Sequence, residues 1–213
     1  MKDKLIIVSG GMDSITLLHK HAQFIKLAVS FYYGQKHEKE IQCAVENCFM
    51  LEIPHITVDI SAVGTLLKSD LLKNGGEIPE GHYEDLSMKR TVVPFRNGIM
   101  LSIAAGIAES NDCKEILIGN HAGDHAIYPD CRADFIAPMA EAIENGTYGK
   151  IQVYAPFLHM TKRQIAITGK SIDVDFSLTW SCYKGGTVHC GKCGTCTERK
   201  EALEGFDPTE YEA

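Results

Sequence analysis

The strongest constraint on this chain is an alternation. Short apolar runs of four to eight residues are separated by segments of helical period. Lys4–Val8, Ile25–Tyr32, His55–Ile60, Glu115–Gly119 and Ile151–Tyr154 read as strands. Ser14–His21 reads as the start of a helix. In His37–Leu51, Ile41, Ala44, Val45 and Cys48 fall on one helical face. Asn97–Glu109 is apolar nearly all round, which predicts a buried helix. Ala133–Ile143 has helical spacing with Pro138 inside, so a kink or a restart is expected there. Thr161–Thr168 reads as a further helix. Strand and helix in alternation with short links predict a parallel sheet with helices on both faces. From Lys68 to Thr91 the pattern weakens. The polar, Gly- and Pro-bearing "KNGGEIPEGHYEDLS" predicts a long loop, a lid or an oligomer contact.

The bulk numbers narrow the partners. A chain of 213 residues, 45% hydrophobic, can build one large domain with a small appendage. Its formal charge of −7 opposes a polyanion unless a local basic patch intervenes, and no Lys/Arg-dense block is present. A small-molecule substrate is therefore expected, with no direct nucleic-acid contact. No apolar run approaches the roughly 20 residues of a membrane span, and Met1-Lys2-Asp3-Lys4 is no secretory leader. The cytosol is the expected compartment, where thiols stay reduced. Eight cysteines are then no disulfide framework: Cys43, Cys48, Cys113 and Cys131 are scattered, and the rest cluster near the C-terminus.

Two adjacent glycines follow the first strand, in "VSGGMDS" from Val8 to Ser14. Glycine weakens regular structure, so the loop must give something back. At the carboxyl end of a parallel strand it lets backbone amides approach an anion, and the following helix adds its positive end. Ser9 and Ser14 can donate hydroxyls to phosphate. Asp13 suits either a Mg²⁺ held between it and the phosphate or a cap on the helix. The G-x-x-x-x-G-K-[ST] and G-x-G-x-x-G patterns are both absent. The string resembles the PP-loop of the ATP pyrophosphatase superfamily, whose members cleave ATP between its α and β phosphates and adenylate a carbonyl oxygen.

Cys182, Cys190, Cys193 and Cys196 form C-x7-C-x2-C-x2-C, with Gly191 and Gly194 permitting tight turns. Four thiolates at about 2.3 Å make a closed, structural zinc site. The rival is an iron–sulfur cluster, whose run of cysteines closes with a nearby fourth cysteine and a proline. Here the fourth lies upstream and no proline follows. The Gly-rich segment has too few apolar residues to order itself without metal. His189 is a spare ligand, a neighbour of the site or a surface group.

Three polar clusters are candidate substrate groups. In "YYGQKHEKE", Gln35, Lys36 and His37 could reach nucleotide or substrate, or simply open a solvated helix. In "VVPFRNG", Arg96 could hold a carboxylate through two parallel hydrogen bonds, or make a structural ion pair. "GNHAGDHAIYPDCRADF" gathers His121, Asp124, His125, Asp130, Cys131 and Arg132 beyond a strand end. Its histidines could take a proton from an incoming amine. Asp124 or Asp130 could help hold Mg²⁺. Cys131 is a nucleophile or a buried, inert thiol.

With "SGGMDS", "YYGQKHEKEI", "VPFRN", "GDHAIYPDCRADF", "APFLHMTK" and "TWSCYKGGTVHCGKCGTCTERKEAL" in this order, the chain resembles the 7-cyano-7-deazaguanine synthase family. The resemblance covers nearly the whole length. It implies an α/β PP-loop domain, Rossmann-like, over residues 1–175, with a zinc-binding segment over 176–213. It implies a ligase that takes 7-carboxy-7-deazaguanine, ammonia and ATP through an amide to the nitrile, in queuosine biosynthesis. It implies one zinc on Cys182, Cys190, Cys193 and Cys196, ATP with Mg²⁺, and a homodimer. Nucleotide contacts map to Val8, Ser9, Gly10, Gly11, Met12, Asp13, Ser14, Ile15, Thr16, Leu17 and Leu18. Catalytic roles fall to Asp13, Lys36, His37, Arg96, Asp124, Asp130 and Arg132. The family form has V-P-G-R-N where this chain has Phe95, and a G-V-C-E-T-D-F-type string where it reads "GNHAGDH". Other uses of such a loop are a deazaguanine attached to a protein, a tRNA thiolase, or a zinc-ribbon module that carries nucleotide. The thiolase needs a reactive cysteine pair outside the zinc site and a basic face.

Overall fold

The computed structural model describes residues 2–82, 86–123 and 127–212. β1 (Lys4–Ile7), β2 (Ile25–Tyr32), β3 (His55–Asp59), β4 (Glu115–Leu117) and β5 (Gln152–Tyr154) form a fully parallel sheet in the order β3-β2-β1-β4-β5. The chain first builds outward from β1 through β2 to β3, then returns to the other side of β1 for β4 and β5. The reversal puts a crevice beyond the carboxyl ends of β1 and β4, where open α/β sheets hold ligands.

Side-chain alternation along the strands creates two cores. Leu5, Ile7, Val29 and Phe31 face α4 (Arg96–Ser110) and α5 (Ala133–Gly146), meeting Leu101, Ala104, Ile136 and Ile143. Ile6, Val8 and Ala28 face α1 (Met12–His21), α2 (Lys39–Met50), α6 (Lys162–Ser171) and α7 (Gly194–Ala202), meeting Ile15, Leu18, Ala44, Ile165 and Ala202. The remaining helix, α3 (Ser61–Gly64), is a single turn after β3. Every strand and helix read from periodicity is present, with ends displaced by up to three residues.

Pro138 behaves differently from expectation: α5 runs through it without a break. Pro138 lies on the exposed face, so the Asp134 carbonyl that it leaves without a helical partner faces water. At the start of α6, Thr161 and Gln164 form a capping box, with Gln164 N–H donating to Thr161 Oγ1 at 3.2 Å and Thr161 N–H to Gln164 Oε1 at 2.8 Å.

The stretch Leu86–Ser110 has the length and composition of a membrane span, yet half of its most apolar 18-residue window is buried inside the protein. Residues 92–95 divide it into a 3-10 helix, Leu86–Thr91, and α4. The predicted loop from Lys68 to Thr91 is well anchored. Arg90 Nε lies 2.8 Å from Asp70 Oδ2, and Gly81 N–H donates to the Lys192 carbonyl at 3.1 Å. Glu80 pairs with Lys184 at 2.6 Å. Its residues Tyr83–Asp85 lie outside the described residues, as does Asp124 with His125.

Candidate active site and metal centre

A cavity of about 190 Å³ opens at the carboxyl ends of the central strands. Its floor is the glycine loop. Gly10 has φ +100°, and a Cβ there would sit 1.7 Å from the Glu40 carbonyl oxygen. The start of α2 thus lies directly on the loop, and only glycine allows both the approach and the backbone angle. Ser14 Oγ accepts from the amides of Ser9 (3.1 Å) and Gly10 (3.2 Å) and donates to the Gly11 carbonyl (3.1 Å). The Ser14 hydroxyl therefore occupies two of the loop's amides. Those left to an anion belong to the first turn of α1, where Gly11 supplies no side-chain cap.

The predicted nucleotide stretch divides in two. Val8, Ser9, Gly11, Met12, Asp13 and Ser14 line the cavity. Ile15, Thr16, Leu17 and Leu18 are fully buried, with the three apolar side chains packed into the core beneath α1. The 3.6-residue period turns that part of the helix away from the ligand side.

The predicted catalytic residues divide likewise. Asp13, His37 and Arg96 line the cavity, and Lys36, Asp130 and Arg132 do not. Lys36 donates to the carbonyls of Asp70 (3.0 Å) and Gly76, pinning the loop after α3. Asp130 Oδ2 accepts from the Asn97 amide at 2.8 Å, so it caps the N-terminus of α4 and fixes the residue after Arg96. Arg132 is the N-cap residue of α5. Arg96 donates to the Tyr33 hydroxyl at 3.1 Å and also lies over that ring. His37 is buried, and its pKa falls to about 3 because burial, and then Arg96, disfavour its cation. Cys131 is buried in the cavity wall and accepts from Asn97 Nδ2 at 3.1 Å. His121 accepts the Gly123 amide on Nδ1 at 3.1 Å, which leaves the ring proton on Nε2, 3.7 Å from Asp13 Oδ2.

Lys162, Glu40 and Asn120 are among the cavity residues that escaped sequence reasoning. Lys162, at the start of α6, lies 3.1 Å from Asp13 Oδ2 and 2.9 Å from Glu198 Oε2. Glu40 has its pKa pushed up to about 7, chiefly by burial, with Ser9, Arg96 and Lys162 pulling the other way. Asn120 presents a buried Oδ1 without a hydrogen-bond partner. Lys162 and Glu40 sit in the first turn of amphipathic helices, where a charge reads as a solvated face.

The cysteine centre forms the adjacent wall. The Sγ atoms of Cys182, Cys190, Cys193 and Cys196 lie within 4.8 Å of one another, all buried, with Cys190 and Cys196 3.9 Å apart. A tetrahedral ion with bonds of about 2.3 Å needs sulfurs about 3.8 Å apart, so the donor set fits zinc. Hydrogen bonds from Cys182 and Cys196 hold the Cys193 thiol far below its ordinary pKa and push their own upward, so a bound dication would have to deprotonate the rest of the set. Amides of Cys190 and Cys193 point at sulfur, at 3.4 and 3.3 Å. His189 is not a surface group: it is buried, stacked 4.2 Å from Trp180, and accepts the Ser181 amide at 3.1 Å. The Trp180 amide donates to the Gly10 carbonyl at 3.0 Å, so the metal segment touches the glycine loop directly. Arg199, fully buried, ties α7 to this segment through Thr179 Oγ1 and the Phe176 carbonyl, at 2.8 and 2.6 Å.

A family model described as "Queuosine biosynthesis protein QueC" matches residues 3–207. The chain is 54% identical over 215 residues to a 7-cyano-7-deazaguanine synthase of Porphyromonas gingivalis, covering 99% of this chain and 98% of that one. It is 51% identical to the Desulfotalea psychrophila protein of that name, covering 99% of each. Among solved structures, an NMN synthetase from Francisella tularensis superposes with a TM-score of 0.51 at 16% identity, over 88% of this chain and 69% of that one. An NH3-dependent NAD synthetase from Campylobacter jejuni gives 0.51 at 12%, over 83% and 66%. These two share the fold. The match from Asp3 to Asp207 and the full-length identity place the chain in the queuosine biosynthesis protein QueC family.

Proposed function

We propose that the chain is an ATP-dependent carbon–nitrogen ligase that converts 7-carboxy-7-deazaguanine and ammonia to 7-cyano-7-deazaguanine. The observation that carries this reading is one cavity lined both by Ser9, Gly11, Asp13 and Ser14 of the glycine loop and by Arg96. A phosphate site and a carboxylate site in one cavity suit activation of a carboxylate by ATP. Full-length relatives bearing that name support the substrate.

The roles follow from the groups present. Amides in the first turn of α1, with the helix dipole, attract the departing phosphates. Arg96 is always charged, and Tyr33 holds its fork in place for a carboxylate. The buried acceptor Asn120 Oδ1 and the rings of Tyr33 and Tyr183 suit a flat heterocycle with N–H donors. Asp13 Oδ1 is buried without a hydrogen-bond partner while Oδ2 faces Lys162. One such oxygen fits a Mg²⁺ held mainly by phosphates and water, and that ion would neutralise phosphate charge. Zinc on Cys182, Cys190, Cys193 and Cys196 would be structural, ordering the wall that carries Trp180 and Tyr183. All eight cysteines are free, which suits the cytosol. A homodimer without nucleic-acid contact completes the reading.

The test supplies purified protein with ATP, Mg²⁺, ammonium and 7-carboxy-7-deazaguanine and follows products by mass spectrometry. The nitrile is expected, strictly dependent on ATP. An amide end product, a protein adduct or indifference to ATP would overturn the assignment.

A further inference from the structure

Glu40 stands in the first turn of α2, directly above the glycine loop. Its Oε1 lies 2.9 Å from where a Cβ on Gly11 would be, and it lines the same cavity as Asp13 and Arg96. A carboxylate is a poor neighbour for a phosphate loop, since it repels what the loop attracts. Its presence there calls for a use. His37, three residues earlier, sets Nε2 3.4 Å from Glu40 Oε2 and is only 3% exposed. The other ring nitrogen, Nδ1, is buried in the cavity wall with no hydrogen-bond partner. A His37 that stays neutral cannot keep an extra proton, so a proton entering this pair rests on Glu40.

Groups from four elements act on the Glu40 carboxyl: a hydrogen bond with Ser9 from the loop, and the charges of Arg96 from α4, Lys162 from α6 and Asp13 from α1. Burial outweighs the cations and brings its pKa to about 7, where a base both accepts and releases a proton readily.

Resting on the ligase reading above, we propose that Glu40 is the proton acceptor for both nitrogen steps, with His37 as its positioning residue. In the first step the ammonia lone pair forms the C–N bond at the activated carboxyl carbon. One N–H proton passes to Glu40, and the C–O bond to the phosphate-bearing oxygen breaks with its electron pair. In the second, the amide oxygen is activated by a second ATP. The nitrogen then gives up its two protons in turn, and the C–O bond breaks as the C≡N bond closes. Glu40 returns each proton to solvent before taking the next. One base can serve both steps because the nitrogen stays on the same carbon throughout.

The experiment uses full-length, metal-loaded protein and the amide, 7-amido-7-deazaguanine, with ATP and Mg²⁺. In wild-type protein, nitrile formation should rise with pH to a plateau above an apparent pKa of about 7. In Glu40→Gln that rise should vanish and the rate should fall about a hundred-fold or more, while ATP affinity is kept. Formate should restore turnover to Glu40→Ala. A folded Glu40→Gln within threefold of wild type, or one that keeps the acid limb, overturns the proposal. If Glu40→Gln does not fold, Glu40→Asp decides: an unshifted limb overturns the proposal, and a shifted limb supports it. Wild-type protein that makes no nitrile overturns the ligase reading itself, before Glu40 is tested.

Discussion

The Lys162 ammonium lies 3.1 Å from Asp13 Oδ2 and 2.9 Å from Glu198 Oε2. One cation from the start of α6 therefore joins the glycine loop to the helix that carries Cys196. All three side chains are largely buried. The pair also explains how Asp13 is tolerated at an anion site: its charge is half-answered before any ligand arrives.

Removing Lys162 should do more harm to the fold than altering Asp13. Lys162→Met leaves two carboxylates without their shared cation, and breaking a largely buried pair costs about 3–5 kcal/mol. Asp13→Asn leaves Lys162 with Glu198 and should cost about 1 kcal/mol, yet abolish turnover. Thermal melts alongside nitrile assays check the order. Equal melting points for Lys162→Met and wild type would refute the bridging role.

The double glycine makes a second prediction. At Gly10 an added methyl meets the Glu40 carbonyl at 1.7 Å, and φ is +100°. At Gly106, inside α4, nothing lies within 4 Å. Gly10→Ala should therefore lose more than about 3 kcal/mol or fail to fold, whereas Gly106→Ala should gain about 0.5–1 kcal/mol. Urea titrations of both variants test the contrast.

What the sequence made legible was whatever a single period or spacing encodes. Leu5-Ile6-Ile7 before Ser9-Gly10-Gly11 announces a strand and a phosphate turn. Four cysteines with seven, two and two residues between them announce a candidate metal site. The buried helix Asn97–Glu109 was visible from its uniform apolarity. Contacts between distant segments were not. Nothing near Trp180 says that its amide meets Gly10, 170 residues away, and nothing near Lys162 points to Asp13. The partners of ionisable loop residues were hidden for the same reason: Lys36 donates to a loop carbonyl and Asp130 accepts a helix amide.

Phe95, just before α4, has a left-handed backbone at φ +54°. Such a conformation costs an L-residue about 1–2 kcal/mol. The ring offsets part of this by packing edge-on against Phe135, with centroids 5.5 Å apart, worth about 0.5–1.5 kcal/mol. Phe95→Ala keeps the strain and loses the ring, and Phe95→Gly loses both. The expected order of stability is therefore glycine above alanine by about 1 kcal/mol, with phenylalanine close to glycine. Denaturation midpoints of the three proteins test that ranking.

His37 and Glu40 shift in directions that oppose each other in stability. Buried neutral His37 titrates near 3 when folded, against 6.5 ordinarily, so it contributes stability above pH 6.5 that is lost as pH falls toward 3. Glu40 titrates near 7 when folded, against 4.5, so its contribution is full below 4.5 and is lost as pH rises through 7. Relative to wild type, Glu40→Gln should gain stability as pH rises from 5 to 6.5, by up to about 1.4 kcal/mol per pH unit. His37→Gln should lose it over the same interval. A loss for Glu40→Gln would contradict the Glu40 assignment, and a gain for His37→Gln the His37 one.

Metal removal should reach the nucleotide site. Trp180, Ser181, Tyr183 and Thr195 line the cavity, and all lie within or beside the Cys182–Cys196 loop. That loop is held by amide-to-sulfur bonds, by Thr195 Oγ1 donating to the Ser181 carbonyl at 2.7 Å, by the Ser181 amide on His189 at 3.1 Å and by the Gly81 amide on the Lys192 carbonyl at 3.1 Å, and a zinc ion on the four sulfurs would be its strongest tie. Cys193→Ser, or chelation of wild-type protein, should therefore remove one zinc per chain and lower the melting point. It should also weaken ATP binding, because the Trp180 amide would let go of the Gly10 carbonyl. Elemental analysis, melting curves and calorimetric titration with ATP measure the three effects on the same samples. Zinc-free protein that melts and binds ATP like the loaded form would show that the four sulfurs order nothing beyond themselves.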